Sequence, residues 1–309
     1  MIYHVYATKS NLGDWLAARG IQSLLAPEPV TDLFCDGPCV EETLEVLSAL
    51  TPDDFVIIGG GGLLMDYFEP FWRGFKAASV RAPFAIWGAG CCDLKKRDTN
   101  ISKDLIAGIV RESRFCVVRD RLTMDFLNAC GLQAPVACPS FWVLKPPALP
   151  GRGLLHASHA GIVDPATEEE LRRVLKDLAE RSGRVYTETR NRIEPKEKAL
   201  QAELDKYRNA DVVVSSRLHG CIIAAGMEKK LIAVSGDRKI DHFMAAAGLE
   251  DWVLDVNEIG RLPEMMKALD EQKPCAEFAA RACRENLAVS EKIKKQIIEA
   301  RRPAGLGCP

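Results

Sequence analysis

Residues 211–226 read DVVVSSRLHGCIIAAG and contain both halves of one strand–helix unit. DVVVSS is rich in β-branched apolar residues, which is typical of a buried strand, whereas the segment from Gly220 onward is small, apolar and helix-like. Arg217 and His219 fall at the junction. The free N–H groups and the dipole at a helix N-terminus favour anions and disfavour cations. Two cationic side chains at this junction therefore predict that an anionic ligand joins them.

The same order of a strand-like run and a helix-like run repeats along most of the chain. In the first half the strand-like runs are residues 2–7, 30–34, 54–60, 83–88, 115–118 and 135–138. In the second half they are residues 153–158, 184–189, 211–216, 230–236 and 252–256. Several runs are nearly continuous in apolar residues, as in strands that are covered on both faces. This alternation predicts an α/β fold with parallel sheets and crossover helices.

One segment interrupts the alternation. Residues 144–153, LKPPALPGRG, hold three prolines and two glycines and can continue neither a helix nor a central strand. We therefore predict an N-terminal Rossmann-like domain over residues 1–147 and a C-terminal Rossmann-like domain over 148–275. Residues 276–309 begin with a long helix-like segment, which we expect to pack back on the N-terminal domain.

Composition excludes several classes of function. The 309 residues carry 41 basic and 43 acidic side chains, with no dense basic block, so a nucleic-acid partner is not expected. No apolar run approaches the roughly 20 residues that a membrane span needs. The first residues, MIYHVYATKS, read as a strand rather than a secretory signal. These features predict a cytoplasmic protein.

The 11 cysteines fit the same prediction. Cys35 and Cys39 are separated by three residues and Cys91 is adjacent to Cys92, so neither pair has the spacing of a zinc ribbon. A chain of this length does not need disulfides to be stable. We favour reduced thiols, with zinc binding or redox chemistry as the alternative.

Polar residues gather where the strand-like runs end. In the first half these residues are Asn11, Gly13, Asp14, Gly60, Gly61, Gly62 and Arg119. In the second half they are His156, His159, Glu188, Arg217, His219 and Lys239. Ligands of open α/β sheets bind beyond the carboxyl ends of the strands, so we expect one cleft between two facing lobes. The cations and the glycines suit a small anion such as a phosphate or a carboxylate. No metal is expected, because the histidines share no ligand spacing with a cluster of carboxylates.

Each of these signals also has a structural alternative. Asn11 and Asp14 could cap the first helix. The glycines at 59–62 could form a tight strand-to-helix turn, and Gly88-Ala89-Gly90 reads mainly as a turn. Arg119 with Asp120 could be a surface ion pair.

Two further residues at strand ends have structural alternatives. Lys239 opens a polar helix and could be solvated. A histidine at a strand end, such as His156, is often a hydrogen-bonded structural residue. Arg217 and His219 are harder to explain in this way, because they interrupt an otherwise apolar stretch.

Four motifs together resemble the polysaccharide pyruvyltransferase family. They are N-x-G-D at Asn11 to Asp14, a glycine segment at Gly60 to Leu63, V-R-D at Val118 to Asp120, and S-R-L-H-G-x-I-x-A at Ser216 to Ala224 followed by Lys239. The motifs span about residues 8–256 in the order expected of the family. The R-L-H element is the most specific of them.

The resemblance implies a fold and an activity. Members look like two-lobed proteins of the GT-B type, in which two Rossmann-like lobes with parallel sheets face a central cleft. They transfer the enolpyruvyl part of phosphoenolpyruvate to sugar hydroxyls of a polysaccharide or its lipid-linked precursor, forming a ketal, and need no cofactor. A lipid-linked saccharide acceptor would bring the protein to the inner face of the membrane.

The resemblance also implies roles for particular residues. Arg217 would clamp an anionic group of phosphoenolpyruvate, and His219 would act as a general acid. The base that deprotonates the sugar hydroxyl would come from the facing lobe, and Asp14 is our own candidate for it. The expected substrate-binding residues are Asn11, Gly13, Gly60, Gly61, Gly62, Arg119, Glu188 and Lys239.

Other functions remain open from the sequence. One is a GT-B glycosyltransferase whose nucleotide-sugar diphosphate would bind Arg217 and Lys239. Another is a non-catalytic protein that binds an anion or a sugar on the same scaffold. A nicotinamide-dependent enzyme is disfavoured, because the G-x-G-x-x-G spacing is missing.

Overall fold

Two parallel five-stranded sheets form the framework of the protein, of which the computed structural model describes residues 1–99, 101–128 and 131–301. The first sheet contains β1 (Ile2–Tyr6), β2 (Val30–Phe34), β3 (Phe55–Leu64), β4 (Phe84–Cys91) and β5 (Phe115–Val118). The second contains β6 (Gly153–Ala157), β7 (Val185–Thr189), β8 (Ala210–Ser215), β9 (Lys230–Ser235) and β10 (Val253–Asp255). All pairings between these strands are parallel, which confirms the predicted α/β class.

Helices connect the strands within each lobe. The first lobe has α1 (Leu12–Leu25), α2 (Cys39–Ala49), α3 (Glu69–Ala77), α4 (Lys103–Glu112) and α5 (Arg121–Leu127). The rest of the described chain has α6 (Pro165–Arg181), α7 (Glu197–Asn209), α8 (Leu218–Gly226), α9 (Arg238–Ala246), α10 (Leu262–Ala268) and α11 (Ala276–Ala300). An irregular segment from 144 to 152 joins the two lobes, where the prolines and glycines predicted a linker. The domain boundaries at 147 and 275 stay predictions.

The two sheets have the same strand order. The order is β2-β1-β3-β4-β5 in the first sheet and β10-β9-β8-β6-β7 in the second. Read from the β7 edge, the second order is β7-β6-β8-β9-β10, so each strand number is five higher than that of its counterpart in the first sheet. In each sheet the chain reverses direction across the sheet at its first strand, between β1 and β3 and between β6 and β8. Crevices beyond the carboxyl ends of such strand pairs are the usual ligand sites of open α/β sheets.

The lobes share part of their core, and the last helix joins them. Leu12, Trp15 and Leu16 of α1 lie in the same buried cluster as the side chains of the second sheet. On α11, Ala282 packs in that cluster, whereas Val289, Ile293 and Ile297 pack with Ile21, Leu24 and Trp87 of the first lobe. In addition, Trp87 Nε1 donates to Asn286 Oδ1 on α11 at 3.0 Å. The terminal helix therefore contacts both lobes.

Two local predictions are wrong. Residues 135–138 are not a strand, because Pro135 has no N–H for a ladder, and the chain joins β5 there through Val136 N–H and Val118 O. The predicted turn at 88–90 does not form, and neither does the turn that was the structural alternative at 59–62, because both glycine segments lie inside β4 and β3, where Gly61 pairs with Ala89. The strands therefore extend farther toward the cleft than the apolar runs indicated.

The described residues also bear on membrane association. None of the helices in residues 1–99, 101–128 and 131–301 is both long and apolar enough to cross a bilayer.

Candidate active site

The main cavity lies between the lobes, at the carboxyl ends of the strands that flank both chain reversals. It has a volume of about 390 Å³, within the range of small-ligand sites. Residues that follow β1, β3, β6 and β8 form most of its wall. The predicted site residues that line it are Asn11, Asp14, Gly62, Arg119, Arg217, His219 and Lys239.

Two short backbone bridges between the lobes flank this cavity. Leu12 N–H donates to Asn191 O at 2.9 Å, and Ile193 N–H donates to Ser10 O at 3.0 Å. The second bridge consists of Lys95 N–H to Gly236 O at 3.0 Å and Arg238 N–H to Asp93 O at 2.9 Å. Each bridge lies within a few residues of cavity-lining side chains on both lobes, so the cavity depends on the two lobes being together.

Arg217 is the residue that caps the start of α8, as the sequence predicted. Its Nε donates to Ser158 O at 2.6 Å, which fixes the inner end of the guanidinium and leaves the Nη groups available. No carboxylate in the described part of the chain forms an ion pair with it. Burial, followed by the charges of neighbouring arginines, lowers the pKa of Arg217 to about 10. An anion bound in the cavity would raise the pKa of Arg217 again, because it would supply the counter-charge that the guanidinium lacks.

His219 lies in the first turn of α8, with its ring packed against α1. A Cβ on Gly13 would be 2.1 Å from both Cγ and Nδ1 of His219, so the imidazole occupies the space of the missing side chain. Cys138 Sγ lies 3.9 Å from Nε2. Burial and the charges of Arg119, Lys239 and Arg217 lower the pKa of His219 to about 3. The imidazole is therefore neutral at pH 7 in the empty cavity.

The contact between Gly13 and His219 gives a prediction. Gly13→Ala should displace the imidazole, lower stability by about 1–3 kcal/mol and reduce turnover, because the added methyl group overlaps the ring. Gly108→Ala is a matched control: Gly108 lies in α4, and a Cβ there meets nothing within 4 Å. Thermal unfolding and product formation are the measurements. A Gly13→Ala protein with wild-type melting temperature and turnover would contradict the packing described here.

Asp14 is the buried carboxylate of the site. It is 8% exposed, and a Cβ on Gly61 would lie 2.4 Å from its Oδ1, so the positive-φ glycine of β3 makes room for it. Burial raises the pKa of Asp14 to about 7, although Arg192, Arg119 and Arg217 oppose the shift. A carboxylate that titrates near neutral pH can accept and return a proton during a reaction. Gly61 therefore does not line the cavity, but it leaves the space that the Asp14 side chain occupies.

Asn11 combines the two functions that the sequence left open. Its Oδ1 accepts the Gly13 N–H at 3.0 Å, so it caps α1, and it also lines the cavity. Capping fixes the first turn of the helix, which carries both Gly13 and Asp14. Asn11 thus positions the part of α1 that meets His219.

Arg119 and Lys239 are buried cations with carboxylate partners, so neither is a solvated surface group. Arg119 is 5% exposed and donates Nε to Asp120 Oδ2 at 2.9 Å. Lys239 Nζ lies 2.6 Å from Asp237 Oδ2 and 2.9 Å from Cys92 Sγ. Burial disfavours charge at both sites, yet the neighbouring anionic groups hold both pKa values above their ordinary range. Both groups stay charged and add positive potential to the cavity.

Besides Gly61, three predicted substrate-binding residues do not line the cavity. Gly13 and Gly60 pack against neighbouring elements, the first against His219 and the second near Ala17. Glu188 lies on β7 at the edge of the second sheet, where Arg172 Nε and Tyr186 OH each donate to its Oε1 at 2.8 Å. Its charge is already neutralised there, so the geometry does not support contact between Glu188 and a ligand in the cavity.

The cavity also contains residues that the sequence did not single out. Arg192 and Tyr67 are exposed at its wall, and Tyr67 OH donates to Asp36 Oδ1 at 2.5 Å. These residues lie in loops without a recognisable motif, so only the tertiary fold brings them to the site.

His159, which the sequence places near the end of a strand but which was not among the predicted site residues, also lines the cavity. Gly161 N–H donates to its Nδ1 at 3.0 Å, so the neutral ring carries its proton on Nε2. Burial lowers the pKa of His159 to about 4. His159 therefore remains a neutral hydrogen-bond donor at pH 7.

The side chains that line the cavity carry more positive than negative charge, although Asp120 and Asp237, which do not line it, form ion pairs with Arg119 and Lys239. Four cations (Arg119, Arg192, Arg217 and Lys239) line it against two carboxylates (Asp14 and Asp36), and Asp14 is only partly ionised near pH 7. Within the described ranges, no group of three or more histidine, cysteine, aspartate or glutamate side chains could hold a metal ion. The arrangement can bind a multiply charged small anion and exchange protons beside it.

The fold and this cavity define a two-lobed α/β protein of the GT-B type, and solved structures share its architecture. S. aureus MnaA, solved with UDP, superposes with a TM-score of 0.57 at 9% identity over 96% of each chain. An uncharacterised protein of Klebsiella pneumoniae superposes with a TM-score of 0.51 at 14% identity, over 82% of this chain and 92% of that one. At such low identity, the likeness shows the fold alone. Among curated proteins, none matches the sequence.

The sequence assigns the chain to a family. The profile of the polysaccharide pyruvyl transferase family matches residues 4–238, about three quarters of the 309 residues. The chain therefore belongs to the polysaccharide pyruvyl transferase family, and it is a polysaccharide-modifying transferase. The matched range includes the cavity residues from Asn11 to Arg217 and His219.

Proposed function

We propose that this protein transfers the enolpyruvyl group of phosphoenolpyruvate to a saccharide and closes a pyruvyl ketal across two hydroxyls. The observation that carries the proposal is Arg217, whose guanidinium lines the cavity without a carboxylate partner in the described chain. Phosphoenolpyruvate bears a phosphate and a carboxylate, each of which matches the fork of an arginine. Arg119 and Lys239 place two further cationic groups at the cavity wall, each of them also paired with an aspartate.

The first chemical step needs an acid and a base on opposite sides of the donor. C3 of phosphoenolpyruvate takes up a proton while a sugar hydroxyl oxygen bonds to C2, and the hydroxyl proton leaves to a base. Asp14 is the base in this proposal, because its pKa of about 7 lets it hold a proton transiently at neutral pH. The result is a tetrahedral centre at C2 that carries the carboxylate, the methyl group, the sugar oxygen and the phosphate.

His219 is the proposed acid, and binding of the donor favours its protonated form. Before an anion binds, burial and the charges of Arg119, Lys239 and Arg217 keep the imidazole neutral. A bound phosphate and carboxylate counter these cations, so the pKa of His219 rises when phosphoenolpyruvate binds. The imidazole can then gain a proton and donate it to C3 of the donor.

The second step completes the ketal and releases phosphate. The C2–O bond to phosphate breaks, phosphate leaves with the bonding electrons, and a second hydroxyl of the same saccharide bonds to C2 and loses its proton. The balance is one phosphoenolpyruvate and one diol giving one cyclic ketal and one phosphate. Arg217 and Lys239 stabilise the charge that collects on the departing phosphate.

The test is saccharide-dependent release of phosphate from phosphoenolpyruvate. With a saccharide that has two hydroxyls close enough for a cyclic ketal, phosphate release from phosphoenolpyruvate should equal the amount of saccharide that gains the mass of one pyruvyl group. His219→Gln should lower the rate about 100-fold or more, within the usual range for loss of a general acid. Transfer of sugar from a nucleotide sugar, with no consumption of phosphoenolpyruvate, would contradict the proposal and favour a glycosyltransferase.

A further inference from the structure

Arg192 is an exposed guanidinium in the wall of the cavity, on the loop between β7 and α7. In the described ranges it forms no ion pair with a carboxylate. It lies close enough to Asp14 and Arg217 for its charge to lower the pKa of both groups. Two guanidiniums that face one cavity repel each other, and this repulsion is relieved when an anion binds between them.

The loop that carries Arg192 is fixed on both sides. Toward the second lobe, Tyr207 OH donates to Asn191 Oδ1 at 2.8 Å, and Asn191 N–H donates to Thr189 Oγ1 at 2.8 Å. Asn191 has a φ of 52°, a left-handed conformation that asparagine tolerates better than most residues. Toward the first lobe, the bridge between Ser10–Leu12 and residues 191–193 holds the same loop.

These contacts place Arg192 on the seam between the lobes. One neighbour, Asn191, accepts the Leu12 N–H, and the other, Ile193, donates to Ser10 O. The partner segment includes Asn11, which also lines the cavity. A ligand that binds the Arg192 side chain therefore restrains a residue whose two sequence neighbours, Asn191 and Ile193, make the hydrogen bonds of the bridge.

We propose that Arg192 is a second anion clamp of the cavity, and that a ligand held by Arg192 and Arg217 fastens the bridge between Ser10–Leu12 and residues 191–193. The identity of that ligand as phosphoenolpyruvate rests on the proposed function. The two acidic groups of the donor match two guanidiniums that have no carboxylate partner in the described chain. Binding would also order a long exposed side chain, so the affinity measured is what remains after that entropic cost.

The experiment combines affinity with hydrogen exchange in the full chain. Phosphoenolpyruvate is titrated into wild type, Arg192→Gln, Arg192→Lys and the control Arg173→Gln, whose arginine is exposed on α6 and does not line the cavity. Exchange is then followed in the peptides that contain the Leu12 and Ile193 amides, with and without saturating phosphoenolpyruvate. All four proteins should fold alike, because both side chains are exposed.

We expect Arg192→Gln to weaken binding about 10- to 100-fold, Arg192→Lys to recover part of this loss, and Arg173→Gln to bind as wild type does. Phosphoenolpyruvate should slow exchange at both amides in wild type and much less in Arg192→Gln at saturation. Unchanged affinity in Arg192→Gln, or unchanged exchange in wild type with ligand bound, would overturn the proposal.

A separate arm distinguishes the clamp from the donor assignment. If wild type ignores phosphoenolpyruvate, inorganic phosphate is used as the probe at millimolar concentration. Protection of Leu12 and Ile193 that requires Arg192 would then support the clamp while removing phosphoenolpyruvate as its ligand. Failure of both anions to protect these amides would remove the clamp as well.

Discussion

Arg217→Gln should weaken binding of phosphoenolpyruvate roughly 100-fold, because a charge-assisted pair to the donor is lost from a buried site. The glutamine keeps much of the side-chain volume but supplies no positive charge and no guanidinium fork. Turnover at low donor concentration should fall by at least the same factor. Isothermal titration with phosphoenolpyruvate and initial rates of phosphate release measure the two effects.

Two further variants separate charge from geometry. Arg217→Lys should recover only part of the affinity, since an ammonium group cannot make the two parallel hydrogen bonds of the guanidinium. Arg173→Gln removes an exposed arginine from α6, away from the cavity, and should leave binding unchanged. Wild-type affinity in Arg217→Gln would show that this residue is not the clamp.

Asp14→Asn should lower turnover about 1,000-fold without weakening the binding of phosphoenolpyruvate, because it removes the proposed base but also a negative charge from an anion site. In wild type, activity should rise as pH increases through about 7, because Asp14 must be ionised to accept the proton, and it should fall again at higher pH, where His219 in the donor complex loses the proton that it donates. The charged groups that set this value are Arg192, Arg119 and Arg217, which lower the pKa of Asp14, and Asp36, which raises it.

The same substitution should stabilise the empty protein at alkaline pH. The pKa of Asp14 is about 7 in the folded chain and close to 4 in an unfolded one, so the folded state holds the proton more tightly. The stability linked to this proton is complete below about pH 4 and is lost as pH rises through 7. Asp14→Asn should therefore exceed wild type by about 2–4 kcal/mol in unfolding free energy at pH 8, and by little at pH 4.

Denaturant unfolding at the two pH values measures this difference. A stability gap that does not change between pH 4 and pH 8 would show that Asp14 is not held protonated by burial. A large loss of phosphoenolpyruvate affinity in Asp14→Asn would argue against its role as a base and in favour of a structural role.

The sequence predicted the parts of the fold that depend on local pattern. Apolar runs located ten of the strands, and the composition of residues 144–153 located the connection between lobes. The extra strand at 135–138 failed because its apolar letters contain Pro135, and a proline cannot join a ladder as a central residue does. The glycine runs contain no turns, because β3 and β4 continue through them. Glycines in these strands leave space for the side chains of Asp14 and Arg119.

The site was predictable where a motif joins a strand end to a helix start. Arg217, His219, Asn11 and Asp14 follow strands that flank the chain reversals, so the strand order of each sheet brings them to the edge of their lobe where ligands of α/β sheets bind. Arg192 was not predictable, since its place in the cavity depends on a backbone bridge between residues about 180 positions apart. Glu188 illustrates the converse, because its polar position at the end of β7 predicted a ligand contact, whereas its carboxylate accepts hydrogen bonds from Arg172 and Tyr186 of the same lobe.

A structure of the protein crystallised with phosphoenolpyruvate tests the central claim most directly. The account predicts density for one donor molecule in the cavity between the lobes, with its acidic groups on Arg217 and Arg192, and with Asp14 and His219 beside C2 and C3. Phosphoenolpyruvate bound outside this cavity, or an empty cavity at a concentration that supports turnover, would contradict the account.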